Sequence, residues 1–383
     1  MQAGSMFLIV GSIAIGCSSS DATSNSDEGS SSRTTRDAGG DPAPDGGGQL
    51  ASDDSGAADD SGTKVADAGS ADAASSALPY GPYGSYKPTA ATTGVRSGTT
   101  LIPYTNQFGA IVNGDLVLST AGVTISGYDI PAFIVVKADK ITIENSRVRG
   151  PATLPTVGTR NLISAYDLKA TNLTVQDCTL APDVADHNSQ GIQGRSFLAQ
   201  RNDIYDTVDG IDPLGDATIL ANYIHDLAWF APDSNHTDNH SHNDCVQLEG
   251  GSATVQYNNL EGFLSPTFAD GPARPYDQAN SVMLAVADTT PPTTNLVVSS
   301  NWIDGGQVSI NIGAGTYTSL GTIDKNIFGD NQAYSPDAIL LNSARASIGL
   351  TITGNKFGAV DLPLKNAALS GTTVDTGNGI HGG

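Results

Sequence analysis

Asparagine recurs at the end of one short phrase throughout the middle of this chain. Each copy follows a small alternating apolar segment, such as Ile141-Thr142-Ile143 or Leu350-Thr351-Ile352. The intervals between copies are 32, 25, 20, 36, 43, 25 and 29 residues, so the unit is short and accepts insertions. Units of this length cannot bury an apolar face alone and must stack on one another. The positions concerned are Asn145, Asp177, Asn202, Asn222, Asn258, Asn301, Asn326 and Asn355, with aspartate replacing asparagine once.

The apolar residues within each unit alternate with a period of two, which predicts strands, and helical spacing is scarcely seen. An asparagine at the same bend of every unit predicts a ladder of side-chain amides bonded to the units above and below. The sequence therefore predicts an all-β solenoid. The pattern resembles the right-handed, single-stranded parallel β-helix of the pectate lyase-like superfamily across roughly residues 100 to 360, and that resemblance implies an internal Asn ladder and polysaccharide as substrate.

The first 17 residues are typical of an export signal. An apolar stretch from Met6 to Gly16 is too short to span a bilayer and stops at Cys17. The tetrapeptide Ala14-Ile15-Gly16-Cys17 resembles a bacterial lipoprotein cleavage box, in which Cys17 is the lipidation site. We therefore expect an exported bacterial lipoprotein of the outer membrane or cell surface, touching the membrane through its lipid anchor only; secretion without an anchor is the alternative.

Composition divides the remainder of the chain. Residues 18–79 are rich in Ser, Ala, Gly and Asp, a composition that predicts a disordered tether. We expect an N-terminal lead-in and cap over 80–130, the β-helix over 131–361, and a poorly ordered tail over 362–383. The net charge of −22 argues against nucleic acid as a partner, and we expect a monomer. Cys178 and Cys245 occupy different positions in their units, which predicts two buried thiols.

Insertions enter almost entirely at one place in the unit, shortly after the recurrent asparagine. The long excursions are 149–161, 181–189, 226–243 and 261–279. Loops that leave one corner of a solenoid stand side by side and form the walls of a groove. An extended groove across stacked strands suits a polymer, so we expect an extended polysaccharide as the ligand.

The strands that follow this corner place polar residues at matching positions. If Ile192, Ile211, Val246 and Ile310 point inward, alternation turns the next residue of each strand outward. We expect these outward residues to bind the glycan, with Trp229 available to stack on a sugar ring or to anchor a loop. The predicted column consists of Gln193, Asp212, Gln247 and Asn311.

Ionisable side chains concentrate around the same corner. Crowded carboxylates and imidazoles can transfer protons, since their pKa values separate and span neutrality. They can also bind a divalent ion, with carboxylates favouring Ca²⁺ and imidazole favouring Zn²⁺ or a similar ion. The candidate catalytic residues are Asp209, Asp212, Asp244, His242, His225 and Arg195. The candidate metal ligands are Asp209, Asp212, Asp244, His236 and His240, with Ca²⁺ the favoured ion and Zn²⁺ less favoured.

Two further resemblances leave the chemistry open. The segment from Asp206 to Asp212, together with Asn243-Asp244-Cys245-Val246, is similar to motifs of polygalacturonases, which implies that Asp209 and Asp244 take part in hydrolysis. Polysaccharide lyases of the same architecture need a base beside a uronate and a cation on its carboxylate, which implies Arg195 or bound calcium as the cation. We expect a lyase first and a hydrolase second. The opposing class is a glycan-binding or adhesive surface protein without catalysis.

Overall fold

The computed structural model describes residues 87–156, 160–234, 236, 238–270, 280–285, 293–313, 320–329, 331–332, 338–341, 349–357, 373–374 and 379–380. The expected signal peptide with Cys17, the tether and the start of the lead-in lie outside these residues. The described strands form three long sheets in which each strand pairs in parallel with the equivalent strand one coil away. The chain is a parallel β-helix, as the recurrent asparagines and apolar period predicted.

Each coil passes in turn through three sheets, which we call B, C and A. Sheet B contains Ile111–Val112, Asp115–Leu118, Phe133–Val136, Asn161–Ala165, Gln190–Gly194, Asp209–Pro213, Asp244–Leu248, Ser281–Ala285, Val308–Ile312 and Ile339–Leu341. Sheet C contains Thr124–Ser126, Thr142–Glu144, Leu173–Gln176, Phe197–Gln200, Ala217–Leu220, Gly251–Gln256, Thr293–Ser299, Gly321–Asp324, Leu350–Thr353 and Thr373–Val374. Sheet A contains Ile102–Pro103, Tyr128–Ile130, Arg147–Val148, Thr179–Leu180, Asp203–Ile204, Tyr223–Ile224, Asn259–Gly262, Trp302–Gly305, Ile327–Phe328, Lys356–Phe357 and Gly379–Ile380.

Strands of the three sheets also occur in both flanking segments. Ile102–Pro103 and Asp115–Leu118 pair in parallel within the expected lead-in and cap, and the antiparallel strand Ile111–Val112 covers that end of sheet B. At the other end, Thr373–Val374 and Gly379–Ile380 add strands to sheets C and A, inside the expected tail. None of the described residues forms a helix that is long and apolar enough to cross a membrane.

The core is a set of apolar stacks between the three sheets. In sheet C the register aligns one inward residue from each coil, and alternate residues of the same strands face outward. Cys178 and Cys245 are both buried and unbridged, as predicted. The aligned residues of the sheet C stack, each almost completely buried, are Ile125, Ile143, Val175, Ala199, Ile219, Val255, Val298, Ile323 and Ile352.

An asparagine ladder runs inside the turn between sheets C and A. The Asn222 backbone N–H donates to Asn258 Oδ1 at 2.8 Å, and Asn222 Nδ2 donates to the same oxygen at 3.0 Å and to Ala199 O at 2.9 Å. Asn222 Oδ1 accepts two bonds in the same way from Asn202. The pattern repeats through Asn202, Asn222, Asn258, Asn301, Asn326 and Asn355, all fully or almost fully buried.

The prediction that Asn145 and Asp177 belong to this ladder is wrong by one residue. Cys178, not Asp177, donates its backbone N–H to Asn202 Oδ1, at 3.0 Å. Ser146 holds the equivalent place one coil earlier, where its hydroxyl accepts a backbone N–H at 3.1 Å. Asn145 and Asp177 have φ of 45° and 54°, a left-handed conformation that Asn and Asp tolerate well. Asn and Asp therefore suit this bend through their backbone, whereas the ladder position that follows it uses the side chain.

The N-terminal segment 87–99 lies along the outside of the coils. The Lys87 ammonium is 3.3 Å from Glu261, whereas Arg96 reaches Asp177, several coils nearer the N-terminal end, at 2.6 Å. The segment therefore crosses successive coils before the chain enters the solenoid at the first strand of sheet A. This contact with the middle of the solenoid was not predicted from the sequence.

The long connections leave from one corner, as predicted. They join strands of sheet A to the following strands of sheet B and occupy 149–160, 181–189, 225–243 and 263–280. Two of them also pair with each other, through Leu227–Phe230 and Leu264–Asp270. These connections therefore lead into sheet B from the corner that it shares with sheet A.

Replacing Asn222 by Ala tests the ladder. The substitution leaves the buried Asn202 N–H without its acceptor and removes two donated bonds, so we expect a loss of about 3 kcal/mol in the free energy of unfolding. Urea denaturation followed by circular dichroism measures the change. Asn172→Gly is the control, because Asn172 is exposed with φ of 54° and glycine accepts that conformation. Equal stability losses in the two variants would contradict the ladder's role.

Candidate functional site

The predicted polar column forms on the outer face of sheet B. Ile192, Ile211 and Val246 align in register with their side chains buried, and the residue after each faces the other way. Gln193 pairs with Asp212, and the column continues through Gln247, Leu284 and Asn311. Leu284 interrupts it with an apolar residue. The polar column is therefore continuous from Ser164 through Gln193 and Asp212 to Gln247.

A chain of hydrogen bonds links the first members of this column. The Tyr166 hydroxyl and Asn161 Nδ2, the latter at 2.5 Å, both donate to Gln193 Oε1. Gln193 Nε2 in turn donates to Asp212 Oδ2. Tyr166 is 49% exposed, whereas Asp212 is completely buried and its Oδ1 has no hydrogen-bond partner in the structure. The chain thus runs from an accessible phenol to an incompletely satisfied buried carboxyl.

Glu249 brings a second carboxyl to the same place. It follows the strand Asp244–Leu248, is partly exposed, and accepts a hydrogen bond from Gln247 Nε2 at 2.8 Å. Burial raises the pKa of Glu249. Burial and then the charge of Glu249 hold the pKa of Asp212 well above its usual range. Burial, Asp212 and Glu249 also raise the pKa of Tyr166, so the three groups share one electrostatic environment.

Asp209 and Asp244 form a second, shorter ladder at the start of the sheet B strands. The Asp244 N–H donates to Asp209 Oδ1 at 3.0 Å, and the Ser281 N–H donates to Asp244 Oδ1 at 3.0 Å. Gln190 Nε2 contacts Asp209 Oδ2 at 3.3 Å. Burial raises the pKa of Asp209 to about 7, while burial and the charge of Asp209 raise that of Asp244 further above its ordinary range. Both carboxyls accept backbone N–H groups across coils and are inaccessible, which gives them a structural place in the fold.

The predicted metal ligands do not assemble as one set. Within the described part of the chain, the three ligand atoms that lie close together belong to Asp238, His240 and His242, and the set does not include Asp209, Asp212 or Asp244. His240 and His242 instead converge on Asp238, with Nε2 to Oδ2 distances of 3.3 and 2.9 Å. The structure therefore divides the predicted set between sheet B and the loop before Asp244.

Two of the predicted functional residues, His225 and Trp229, lie outside the polar column on sheet B. His225 directly follows the sheet A strand Tyr223–Ile224, between Asp226 at 2.7 Å and Asp203 at 3.2 Å, and its ring stacks on Tyr223. Burial opposes its charge, but the bonds to the two carboxylates prevail and raise the pKa of His225 to about 9. A histidine that is charged at neutral pH is a poor general base. Trp229 is almost completely buried, with its ring 5.9 Å from that of His240, so it packs in the loop.

Arg195 remains beside the column. It lies two residues after Gln193, and its Nη1 donates to Leu214 O at 3.2 Å. Its charge lowers the pKa of Tyr166, although burial prevails there. Arg195 therefore places a guanidinium near the Tyr166 phenol.

The sequence reasoning missed Tyr166 and Glu249, although the signal for both was present. Ser164, Gln193, Asp212 and Gln247 align across sheet B, and the residue two places further along each strand belongs to the same face. That next row contains Tyr166, Arg195, Leu214 and Glu249. Extending the alternation by one step beyond the column would have found it.

A different concave surface of about 380 Å³ lies over sheet C, where its lining includes Thr174, Leu198 and Thr218. Among the described residues that line it, Asp216 is the one ionisable group. That carboxylate already accepts the Ser252 N–H and hydroxyl, at 3.0 and 2.8 Å. A single carboxylate that is already hydrogen-bonded offers no second group for acid–base chemistry, so the outer face of sheet B is the better candidate site.

Comparison with known proteins identifies no relative of this chain. No protein-family model matches the chain, and no curated protein or solved structure is similar to it. The function must therefore be inferred from the geometry of the sheet B face.

The raised pKa of Asp209 predicts how stability changes with pH. Its folded value of about 7 exceeds the value of about 4 in an unfolded chain, so the folded state keeps a proton that the unfolded state releases. This contribution is present below pH 4 and is lost as the pH rises to 7. Asp209→Asn cannot ionise and still accepts the Asp244 N–H. We expect the variant to gain up to about 4 kcal/mol relative to wild type between pH 4.5 and pH 8.

Urea denaturation at the two pH values measures this gain. Asp216→Asn serves as the control, since Asp216 is exposed and bonds at the surface. A stability difference between Asp209→Asn and wild type that stays constant with pH would refute the assignment.

Proposed function

We propose that this protein binds an extended polysaccharide across the outer face of sheet B and cleaves it there by glycoside hydrolysis. The observation that carries the proposal is the pair of carboxyls, Glu249 and Asp212, whose pKa values are both raised. Enzymes that hydrolyse glycosidic bonds use two carboxyl groups, one of which must hold a proton at working pH. The site of the pair, on a solenoid face beside long loops, suits a polymer.

Glu249 is the catalytic acid in this proposal because its side chain is partly exposed. Burial favours its protonated form, and a protonated carboxyl can donate its proton to the glycosidic oxygen as the bond from that oxygen to the sugar carbon breaks. A water molecule then adds to that carbon and gives a proton back to the Glu249 carboxylate, which completes the hydrolysis. Asp212 is completely buried and acts through its neighbours: ionisation of either carboxyl opposes that of the other, which keeps a proton in the pair. Gln193 holds Asp212 in position, and Tyr166 and Gln247 offer hydroxyl and amide groups to the sugars.

β-Elimination on a uronate-containing glycan is the second candidate, and Arg195 is the observation that favours it. A guanidinium beside a phenol can bind a uronate carboxylate while another group takes the proton next to it. The carboxyls of Asp212 and Glu249 oppose uronate binding when they are ionised, which places elimination behind hydrolysis. Resemblance to the pectate lyase-like superfamily is compatible with either reaction.

Glu249→Gln tests the assignment. We expect hydrolysis to fall by about 100-fold or more, because the amide cannot supply a proton, while the fold and glycan affinity are retained. The full chain is incubated with neutral and uronate polysaccharides, and new reducing ends and the ultraviolet absorbance of unsaturated products are followed. Glu144→Gln is a matched control: Glu144 lies in sheet C and accepts a bond from Gln176 at 2.8 Å, as Glu249 does from Gln247.

The products separate the candidates. Reducing ends without ultraviolet absorbance support hydrolysis, and an absorbing product establishes elimination instead. Full activity of Glu249→Gln excludes Glu249 as the acid. Binding with no turnover of any polymer moves the protein to the class of non-catalytic glycan-binding or adhesive proteins.

We also propose that the protein is exported and anchored through a lipid on Cys17. The support is the apolar stretch from Met6 to Gly16 and the lipoprotein-like box that ends at Cys17. We expect labelled palmitate to be incorporated by the wild-type chain in a bacterial host and not by Cys17→Ser. Equal labelling of the two would overturn this proposal.

A further inference from the structure

The loop that leads into the strand Asp244–Leu248 is closed on itself by hydrogen bonds. Phe230 and Ser241 join its two ends, with Ser241 N to Phe230 O and Phe230 N to Ser241 Oγ both at 2.9 Å. Further in, the Asp233 N–H donates to Asn239 O at 3.1 Å, and Asp233 is completely buried. These bonds fix the backbone from which the loop histidines project.

Three side chains of this loop point their ligand atoms at one place. One atom each from Asp238, His240 and His242 lies within 4.8 Å of the other two. His240 Nδ1 is 3.2 Å from Ser241 O, a contact in which the ring donates its Nδ1–H to the carbonyl. That tautomer leaves the lone pair on Nε2, the nitrogen that faces Asp238. A ligating histidine is commonly oriented by such a contact on its other nitrogen.

His236 supports the same arrangement from the side. Its ring stacks on that of His242 with centroids 4.1 Å apart, and its Nδ1 is bonded to Asp233 at 2.8 Å. The buried carboxylate thus holds one imidazole, which in turn limits the orientation of the His242 ring. Such supporting contacts behind a ligand set its direction before a metal arrives.

We propose that Asp238, His240 and His242 bind a divalent transition-metal ion of the zinc class. Ligand atoms about 2.0–2.1 Å from a tetrahedral ion lie about 3.3 Å from one another. The distance from His240 Nε2 to Asp238 Oδ2 is 3.3 Å and that from His242 Nε2 is 2.9 Å, both close to this separation, and the ligand atoms of the two histidines lie within 4.8 Å of each other. Two imidazoles and one carboxylate suit zinc or a similar ion, whereas calcium requires six or more oxygen ligands.

Three protein ligands leave a fourth position on a tetrahedral ion for water or another small ligand. His242 is two residues from Asp244, so the ion would lie at the entrance to the strand that carries Gln247. The metal site does not depend on the proposed hydrolysis, because its ligands are separate from Glu249, Asp212 and Tyr166. The tests of metal binding and of glycan cleavage can therefore give independent results.

Titration of the full chain, prepared without a histidine tag, with Co²⁺ tests the site. Visible absorbance of tetrahedrally bound Co²⁺ reports occupancy, and Zn²⁺ is expected to displace the Co²⁺. We expect His240→Ala and His242→Ala each to weaken Co²⁺ binding by about 10-fold or more, and Asp238→Asn to weaken it as well. His187→Ala is the control, because it removes a histidine from another loop and should leave the affinity unchanged.

Circular dichroism of each variant establishes that the fold is retained, and Asp238→Asn keeps the test valid if a histidine variant fails to fold. Three results would overturn the proposal: absence of Co²⁺ and Zn²⁺ binding by the wild-type chain, undiminished binding by the folded ligand variants, or displacement of Co²⁺ by a modest excess of Ca²⁺.

Discussion

The stacking of coils through buried asparagines is the interaction on which the rest of this structure depends. A turn buried between two sheets leaves backbone N–H and C=O groups away from water, and each unpaired group is costly. The amide of Asn222 solves this for its neighbours, since Oδ1 accepts from the coil before and Nδ2 donates to the coil after and to a carbonyl of the coil before. Because each bond joins different coils, the ladder fixes their register, and the register brings Gln193, Asp212 and Gln247 onto one face.

The first coils show which part of the ladder is essential. Ser146 and Cys178 occupy ladder positions without an amide, and each uses a short polar or weakly polar side chain at the same bend. The coils described between Asn145 and Gly354 all retain a left-handed residue immediately before the ladder position, with φ between 45° and 62°: Asn145, Asp177, Arg201, Ala221, Tyr257, Ser300, Lys325 and Gly354. The bend is therefore a property of the backbone, and from Asn202 to Asn355 the amide adds hydrogen bonds between coils.

Sequence reasoning found the solenoid because alternation and the recurrent bend are local signals that repeat. It placed Asn145 and Asp177 in the ladder because the left-handed bend and the ladder both favour Asn, and residue type alone cannot separate adjacent positions with different physical demands. The column on sheet B was accessible for the same reason that the strands were. Tyr166 and Glu249 were missed because they lie just beyond strand ends, and the pairing of Asp238 with two histidines depends on how a loop closes, which has no period to read.

Burial affects the side chains of the asparagine ladder and of the Asp209–Asp244 ladder differently. Asparagine is neutral, so its burial costs little once the neighbouring coils replace its hydrogen bonds to water. Asp209 and Asp244 perform a similar task at the corner that leads into sheet B, but their burial opposes ionisation and raises both pKa values. An aspartate at these positions stabilises the coils less than an asparagine would at neutral pH. Beyond burial, the charges of Glu249, Asp209 and Asp244 also raise the pKa of Asp212, because each ionised carboxyl makes the next harder to ionise. Retention of a proton by buried carboxyls is also what the proposed role of Glu249 as an acid requires.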